Sequence, residues 1–141
     1  MNREAIFTAL FDLVKDLPGF NLTSRRGRLA KDVPAEQQPA LFQEEGPGET
    51  IQNQGQGLPA KYLLSVDLGF YARIPEDAAP GPVLNPLIDS LCGALAPGPD
   101  EDDQTLGGLV EFCRINGKIM KNEGLMDGQA SVLLPLEILA V

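Results

Sequence analysis

Apolar residues recur along the first part of the chain with the spacing of a helix. Between Asn2 and Leu17, the residues Ala5, Ile6, Ala9, Leu10, Leu13, Val14 and Leu17 fall at the i, i+3, i+4, i+7 positions that set one stripe against a core. Asn2 supplies an N-cap and Pro18-Gly19 a stop. Phe7 and Phe11 lie beside the stripe, placed either to widen it or to meet a neighbouring subunit. The period then shortens. Phe20 to Leu29 alternates weakly and carries Arg25, Arg26 and Arg28, the pattern of an exposed strand or ribbon. Pro39 to Glu44 reads as a short strand with proline at its first position, where a missing N–H does least harm. From Glu45 to Leu58, Gly, Gln and Glu repeat with Ile51 nearly alone as an apolar side chain, which predicts a long mobile loop.

Ala60 to Ile74 has the strongest strand signal. Tyr62, Leu64, Val66, Leu68, Phe70 and Ala72 point one way, and Lys61, Ser65, Asp67 and Arg73 the other. Leu63 and Tyr71 interrupt the polar side, so that side is expected to be partly covered. Pro75 and the Glu76–Pro82 run end the strand. A second helix fits Val83 to Leu95, with Leu84, Leu87, Ile88, Leu91 and Leu95 on its stripe and Asn85-Pro86 in its first turn, where proline is tolerated. After the acidic turn Pro97–Asp103, Leu109–Ile115 and Lys118–Lys121 read as strands joined at Asn116-Gly117, a strong hairpin signal. Ala130 to Leu139 is a last strand, which Pro135 assigns to an edge or a bulge. Strands cluster in the order α-β-β-β-α-β-β-β, and no internal repeat interrupts them. This predicts an α+β fold: a mainly antiparallel (mixed) sheet with two or more helices packed on one face.

Size fits one domain spanning 1–141. A chain of 141 residues buries roughly two-thirds of its unfolded surface, enough for a core without metals or disulfides. Composition is that of a soluble globular domain, with 43% hydrophobic and 22% charged residues. Trp is absent and aromatics are few, so Leu, Ile, Val and Ala must fill the core. The net charge of −9 changes the picture more. It disfavours sequence-independent nucleic-acid binding, which needs cations to displace phosphate counterions, and docking on an anionic membrane. It suits either simple solubility or a lining that must not trap passing DNA. The N-terminal stretch is amphipathic and no run approaches the ~20 apolar residues of a membrane span, so synthesis in the cytoplasm is expected.

Candidate chemistry is sparse. With no His, the commonest general base and most zinc sites are missing. Cys92 and Cys113 are too few for a metal framework and sit among apolar neighbours, as buried reduced thiols do. No serine has a nucleophile-elbow context, and Gly107-Gly108 lacks the Gly-Lys-Ser/Thr of a phosphate loop. Asp100-Glu101-Asp102-Asp103 offers oxygen ligands without the alternating spacing of a calcium loop, and neighbouring acids in a Pro/Gly turn are usually solvated. No enzymatic role, cofactor or metal is expected. The only basic concentration is Arg25-Arg26-Gly27-Arg28 with Lys31. It has three readings: an ion-pair partner for an acidic patch on the next subunit, a DNA contact, or charges that deter edge-to-edge aggregation.

Several segments together resemble the tail terminator (tail completion) family of long-tailed phages, the group of the lambda minor tail protein U. They are Pro39-Ala40-Leu41-Phe42 after an Arg-bearing strand, Leu84-Asn85-Pro86-Leu87-Ile88-Asp89, Gln104-Thr105-Leu106-Gly107-Gly108-Leu109-Val110, Ile115-Asn116-Gly117-Lys118-Ile119, and the ending Gln129 to Leu139. In order they cover most of the chain beyond the first helix. The resemblance implies a structural virion subunit, assembled in the host cytoplasm, that forms a hexameric ring on the finished tail tube. Such a ring stops tube polymerisation and presents the surface for head joining. Its partners would be its own copies, the tail tube protein and the head–tail connector or stopper, with DNA passing through the lumen without specific binding. A head-completion or stopper ring on the portal side is the alternative. Under either, Arg25, Arg26, Arg28, Phe42 and Ile51 are the candidate interface residues, and the Glu45–Leu58 segment is a candidate docking element.

Overall fold

Asn2 caps the first helix as its position predicts: its Oδ1 accepts from the Ala5 N–H at 3.1 Å. In the computed structural model, which describes residues 1–124 and 128–141, this helix is α1 (Arg3–Val14). Its buried face is Ile6, Phe7, Leu10 and Val14, so Phe7 belongs to the core. The chain continues through β1 (Leu22–Ser24), two short 3-10 turns, β2 (Ala40–Gln52), β3 (Lys61–Arg73), α2 (Gly81–Ala94), β4 (Phe112–Ile115), β5 (Met120–Asn122) and β6 (Gln129–Ala140).

The strands form one sheet in the order β1-β2-β3-β6-β4, with β5 also against β6. Among the described residues only β1–β2 is parallel, and the other pairs are antiparallel. The α+β fold with a mixed, mostly antiparallel sheet is therefore the one the element order predicts. Period-2 alternation divides the sheet into two faces. Leu64, Val66, Leu68, Phe70 and Ala72 of β3 and the even positions of β6 from Ala130 to Ala140 are buried against Ile6, Leu10, Val14, Leu84, Leu87 and Leu91 of the helices. Each large side chain in that layer contributes about 1.5–3 kcal/mol. Gln43 on β2 faces the same layer, and its amide donates to the Phe7 carbonyl at 2.9 Å, joining sheet to helix.

Three expectations need correcting, and one that left two readings open is resolved. The Glu45–Leu58 loop is largely strand: β2 runs on to Gln52, pairing Glu49–Gln52 with Leu64–Lys61 after a bulge between Glu45 and Glu49. That bulge takes up Gly46-Pro47-Gly48, and Gly46 passes so close to Ser65 that a Cβ there would collide with the hydroxyl. Pairing with β3, not local propensity, makes this stretch extended. Of the edge and the bulge open to Pro135, the edge is ruled out, because β6 has β3 on one side and β4 and β5 on the other, and the bulge is found on the facing side. A residue's N–H and C=O point the same way in a strand, and the Pro135 carbonyl accepts from the Asn116 N–H at 2.9 Å. The missing N–H therefore falls in the gap between β4 and β5, where no ladder bond is needed.

Asn116-Gly117 consequently does not turn a hairpin. β4 and β5 lie end to end along β6, pairing with Leu139–Leu136 and Leu133–Ser131, and the residues between them bulge opposite Pro135 with Gly117 at φ 97°. Finally, α2 starts two residues earlier than Val83, so Pro86 sits beyond its first turn.

Candidate functional site

The basic loop after β1 splits into two functions. Arg25 is committed within the chain: it forms ion pairs with Glu4 of α1 and, at 3.0 Å, with Glu45 of β2. Arg3 makes a parallel tie to Glu49, Nε to Oε1 at 2.6 Å, so both ends of the bulge are clamped to the start of α1. Arg26 and Lys31 are exposed and have no ion-pair partner among the described residues. Arg28 donates to Gln37 Oε1 at 3.0 Å and lies 5.8 Å above the Phe42 ring. Phe42 is buried, packed with Val33, Ala40 and the Tyr71 ring, so within one subunit its face is already covered. Ile51 is apart from this corner, 59% exposed on the β2–β3 arm.

The ties to α1 have a pH signature. Hydrogen bonding to Arg25, then to Thr8, holds the Glu4 carboxyl below the usual carboxylate range, and Arg3 does the same for Glu49. A carboxylate depressed in the folded state contributes stability above its unfolded pKa, and that contribution is lost as pH falls through the folded value. The stability difference between the native chain and Glu4→Gln/Glu49→Gln should therefore be present at neutral pH and shrink below about pH 4. Urea midpoints at both pH values check this; a difference constant with pH would contradict it.

The opposite edge of the sheet is acidic. The Cys113 N–H donates to the Gln104 carbonyl at 2.8 Å, which sets Gln104 on the outer side of β4. The Gln104 amide in turn donates to the Ala96 carbonyl at 3.0 Å. Asp100, Glu101, Asp102 and Asp103, just before it, are all exposed and have no ion-pair partner among the described residues. Among the described residues, cations beside β1 and anions beside β4, at the two edges of one sheet, are thus left without ion-pair partners.

The sheet face away from the helices is only partly covered. Phe42, Glu44, Asp67, Gly69, Ser131 and Leu133 line a groove of about 910 Å³ there. Glu44 and Asp67 are direct cross-strand partners, an arrangement like charges normally avoid. Met120 and Leu133, also cross-strand partners, are 57% and 39% exposed beside it. The signal for this pair lay in Leu133-Leu134: in an alternating strand, one of two successive leucines must face outward.

Burial pushes the Cys113 thiol up to about 12, the behaviour of an inert core cysteine. Among the described residues no group of three or more His, Cys, Asp or Glu is arranged to hold a metal ion. No described helix is long and apolar enough to cross a membrane.

No family model and no curated protein sequence matches the chain. Among solved structures, its fold is similar to that of a chain in the virion of a native gene transfer agent particle. The likeness covers 98% of this chain and 96% of that one, with a TM-score of 0.57 and 13% sequence identity. At that identity the likeness is one of fold.

Proposed function

We propose that this protein is a structural virion component without catalytic activity: a ring-forming tail terminator that caps a tail tube, stops its polymerisation and offers the surface for head joining. The observation that carries the reading is the likeness, over nearly the whole length of both chains, to a chain of a virion particle. The segments that resemble the tail terminator family point the same way.

The charge distribution fits a ring. A closed ring needs a heterologous contact between two different patches of one subunit. The Arg26, Arg28 and Lys31 loop of one copy meeting the Asp100–Asp103 turn of the next would be such a contact, and it would use groups that have no ion-pair partner among the described residues. The partners are then further copies of the chain in a hexameric ring, the tube protein below and the head-side connector above. A net charge of −9 lets DNA slide through the lumen without specific binding, since like charges repel at short range.

The test is the mass of the purified protein by light scattering, alone and after mixing with tail tubes. A hexamer-sized species is expected, either free or formed only on tubes that then stop growing. A monomer that ignores tubes overturns the terminator assignment, and capture by portal-side assemblies instead would move the ring to the head.

A further inference from the structure

We infer that β1 of one subunit pairs with β5 of the next, antiparallel and with Thr23 opposite Lys121, so that the sheet runs on from copy to copy. This rests on the ring reading and names the strands that join its subunits. β1 and β5 lie at opposite edges of one sheet, and all three residues of β5 are exposed. An unpaired strand edge is a ready template for another strand.

The ladders fix where each edge residue points its backbone. Successive residues of a strand send their N–H and C=O to alternate sides. The Pro135 carbonyl accepts from Asn116, so the odd positions of β6 face β4 and β5. Met120 and Asn122, opposite Leu133 and Ser131, therefore bond to β6, and the Lys121 N–H and C=O point out of the sheet. The even positions face β3, in phase with the Ile74 N–H donating to the Gly128 carbonyl at 2.8 Å. Carried across β3 and β2, the alternation turns Leu41 toward β1, on the side where the Pro39 carbonyl accepts from Asn21 at 2.8 Å. In a parallel pair a residue bonds to the two neighbours of its opposite. Leu41 thus engages Leu22 and Ser24, and Thr23 is left pointing outward. Among the described residues neither Thr23 nor Lys121 has a backbone hydrogen bond on that outer side.

The two outward residues match in level, direction and face. Thr23 lies opposite Leu41, Leu41 opposite Phe70, Phe70 opposite Val132, and Val132 opposite Lys121. One reversal at each antiparallel step leaves β1 and β5 running in opposite directions. A contact between the two edges around a ring preserves both properties, so Thr23 and Lys121 meet as a hydrogen-bonded antiparallel pair. Both side chains then lie on the helix-covered face, where the Lys121 ammonium is drawn aside to Asn85 Oδ1 of α2 at 3.1 Å and leaves the edge clear.

The charges follow the same register. Beyond β1 the chain reaches Arg25, whose partner Glu45 lies opposite Val66 and so level with Leu136. On the other edge the acidic turn ends at Gln104, beside Cys113 and so level with Ile138. Two residues, about 7 Å, separate these levels. The pairing that joins the strands therefore brings the basic loop toward the acidic turn.

Two measurements test the contact. Ser24 and Met120 would be flanking partners outside the hydrogen-bonded pair, about 4.5 Å apart at Cα, within disulfide range. Ser24→Cys and Met120→Cys are made separately in a Cys92→Ser chain, given tags of different size, mixed, assembled and mildly oxidised. A disulfide joining one chain of each kind is expected. It should be absent when the mixture is oxidised in urea, and absent when Asn122→Cys, two residues out of register, replaces Met120→Cys. Lys121→Pro removes the outward N–H without touching the ladder to β6. It should raise the concentration needed for ring assembly by about tenfold or more, the weight of a lost hydrogen bond at each junction. Lys121→Ala keeps that N–H and should assemble like the native chain. Rings whose chains do not link, or a proline variant that assembles as the native chain does, would overturn the strand contact and leave the ring reading standing. A Ser24→Cys chain that links only to tube protein makes the tube the occupant and overturns the contact between copies. If the native chain forms no ring with or without tubes, the ring reading itself fails.

Discussion

Replacing Phe70 by Ala is expected to remove about 3–5 kcal/mol of folding stability, a large share of the roughly 5–15 kcal/mol that holds a domain of this size together. Phe70 is 1% exposed in the C-terminal half of β3, flanked by Leu41 of β2 and Val132 of β6. Phe20 meets its ring edge-on, centroids 5.4 Å apart and planes at 69°, a geometry worth about 0.5–1.5 kcal/mol beyond the area buried. Both flanking strands are fixed by long ladders, so the cavity cannot close by local collapse and the upper part of the range applies. The urea midpoint should fall with an unchanged slope, since the surface exposed on unfolding is nearly the same. Tyr71→Ala is the internal comparison. Its side chain is half-buried on the other face, and the loss there should be clearly smaller. A Phe70 loss below about 1 kcal/mol would mean that this face of β3 is not packed, contrary to its burial.

That contrast between adjacent residues was legible in the sequence because β3 is a long strand with one covered face, and such a strand displays its period in its own residues. The stripes of α1 and α2 were legible for the same reason. The misread stretches are those whose structure is set by a partner far along the chain. Glu45 to Gln52 has the composition of a loop, and only the β3 ladder from Lys61 to Leu64 makes it a strand. Pro135 and Asn116-Gly117 were each read by a local rule, and the rules conflict. A proline at an edge or a bulge and a tight turn at Asn116-Gly117 are both sensible alone, whereas the fold takes the bulge in place of the turn, with the proline facing it. The basic loop was visible as a cluster, but a sequence cannot show that Glu4 and Glu45 occupy Arg25 while Arg26 and Lys31 have no ion-pair partner among the described residues. Among the candidate interface residues, then, the structure separates Arg25 and the buried Phe42 from the accessible Arg26 and Ile51.

That separation gives the second large effect. The double variant Arg26→Glu/Arg28→Glu is expected to abolish rings while the monomer stays folded. Among the described residues Arg26 has no ion-pair partner, and Arg28 contributes one neutral hydrogen bond and a ring contact, so the folding cost should stay near the roughly 0.5 kcal/mol of an ordinary surface change. At the junction the sign of the interaction reverses: glutamates would face the Asp100–Asp103 turn, and juxtaposed like charges cost several kcal/mol. Every junction of a closed ring carries the same substitution, so the penalty repeats around the ring. Arg25→Glu should behave oppositely, loosening the monomer first, because it places a third carboxylate between Glu4 and Glu45. Restoring attraction is the stricter check. Adding Asp102→Lys/Asp103→Lys to the Arg26/Arg28 variant reverses both patches and should bring rings back, while the lysine changes alone should break them. Mass by light scattering reads all four chains, and circular dichroism confirms the fold of each. Intact rings in the glutamate variant, or no recovery in the doubly reversed one, would place the junction elsewhere on the subunit.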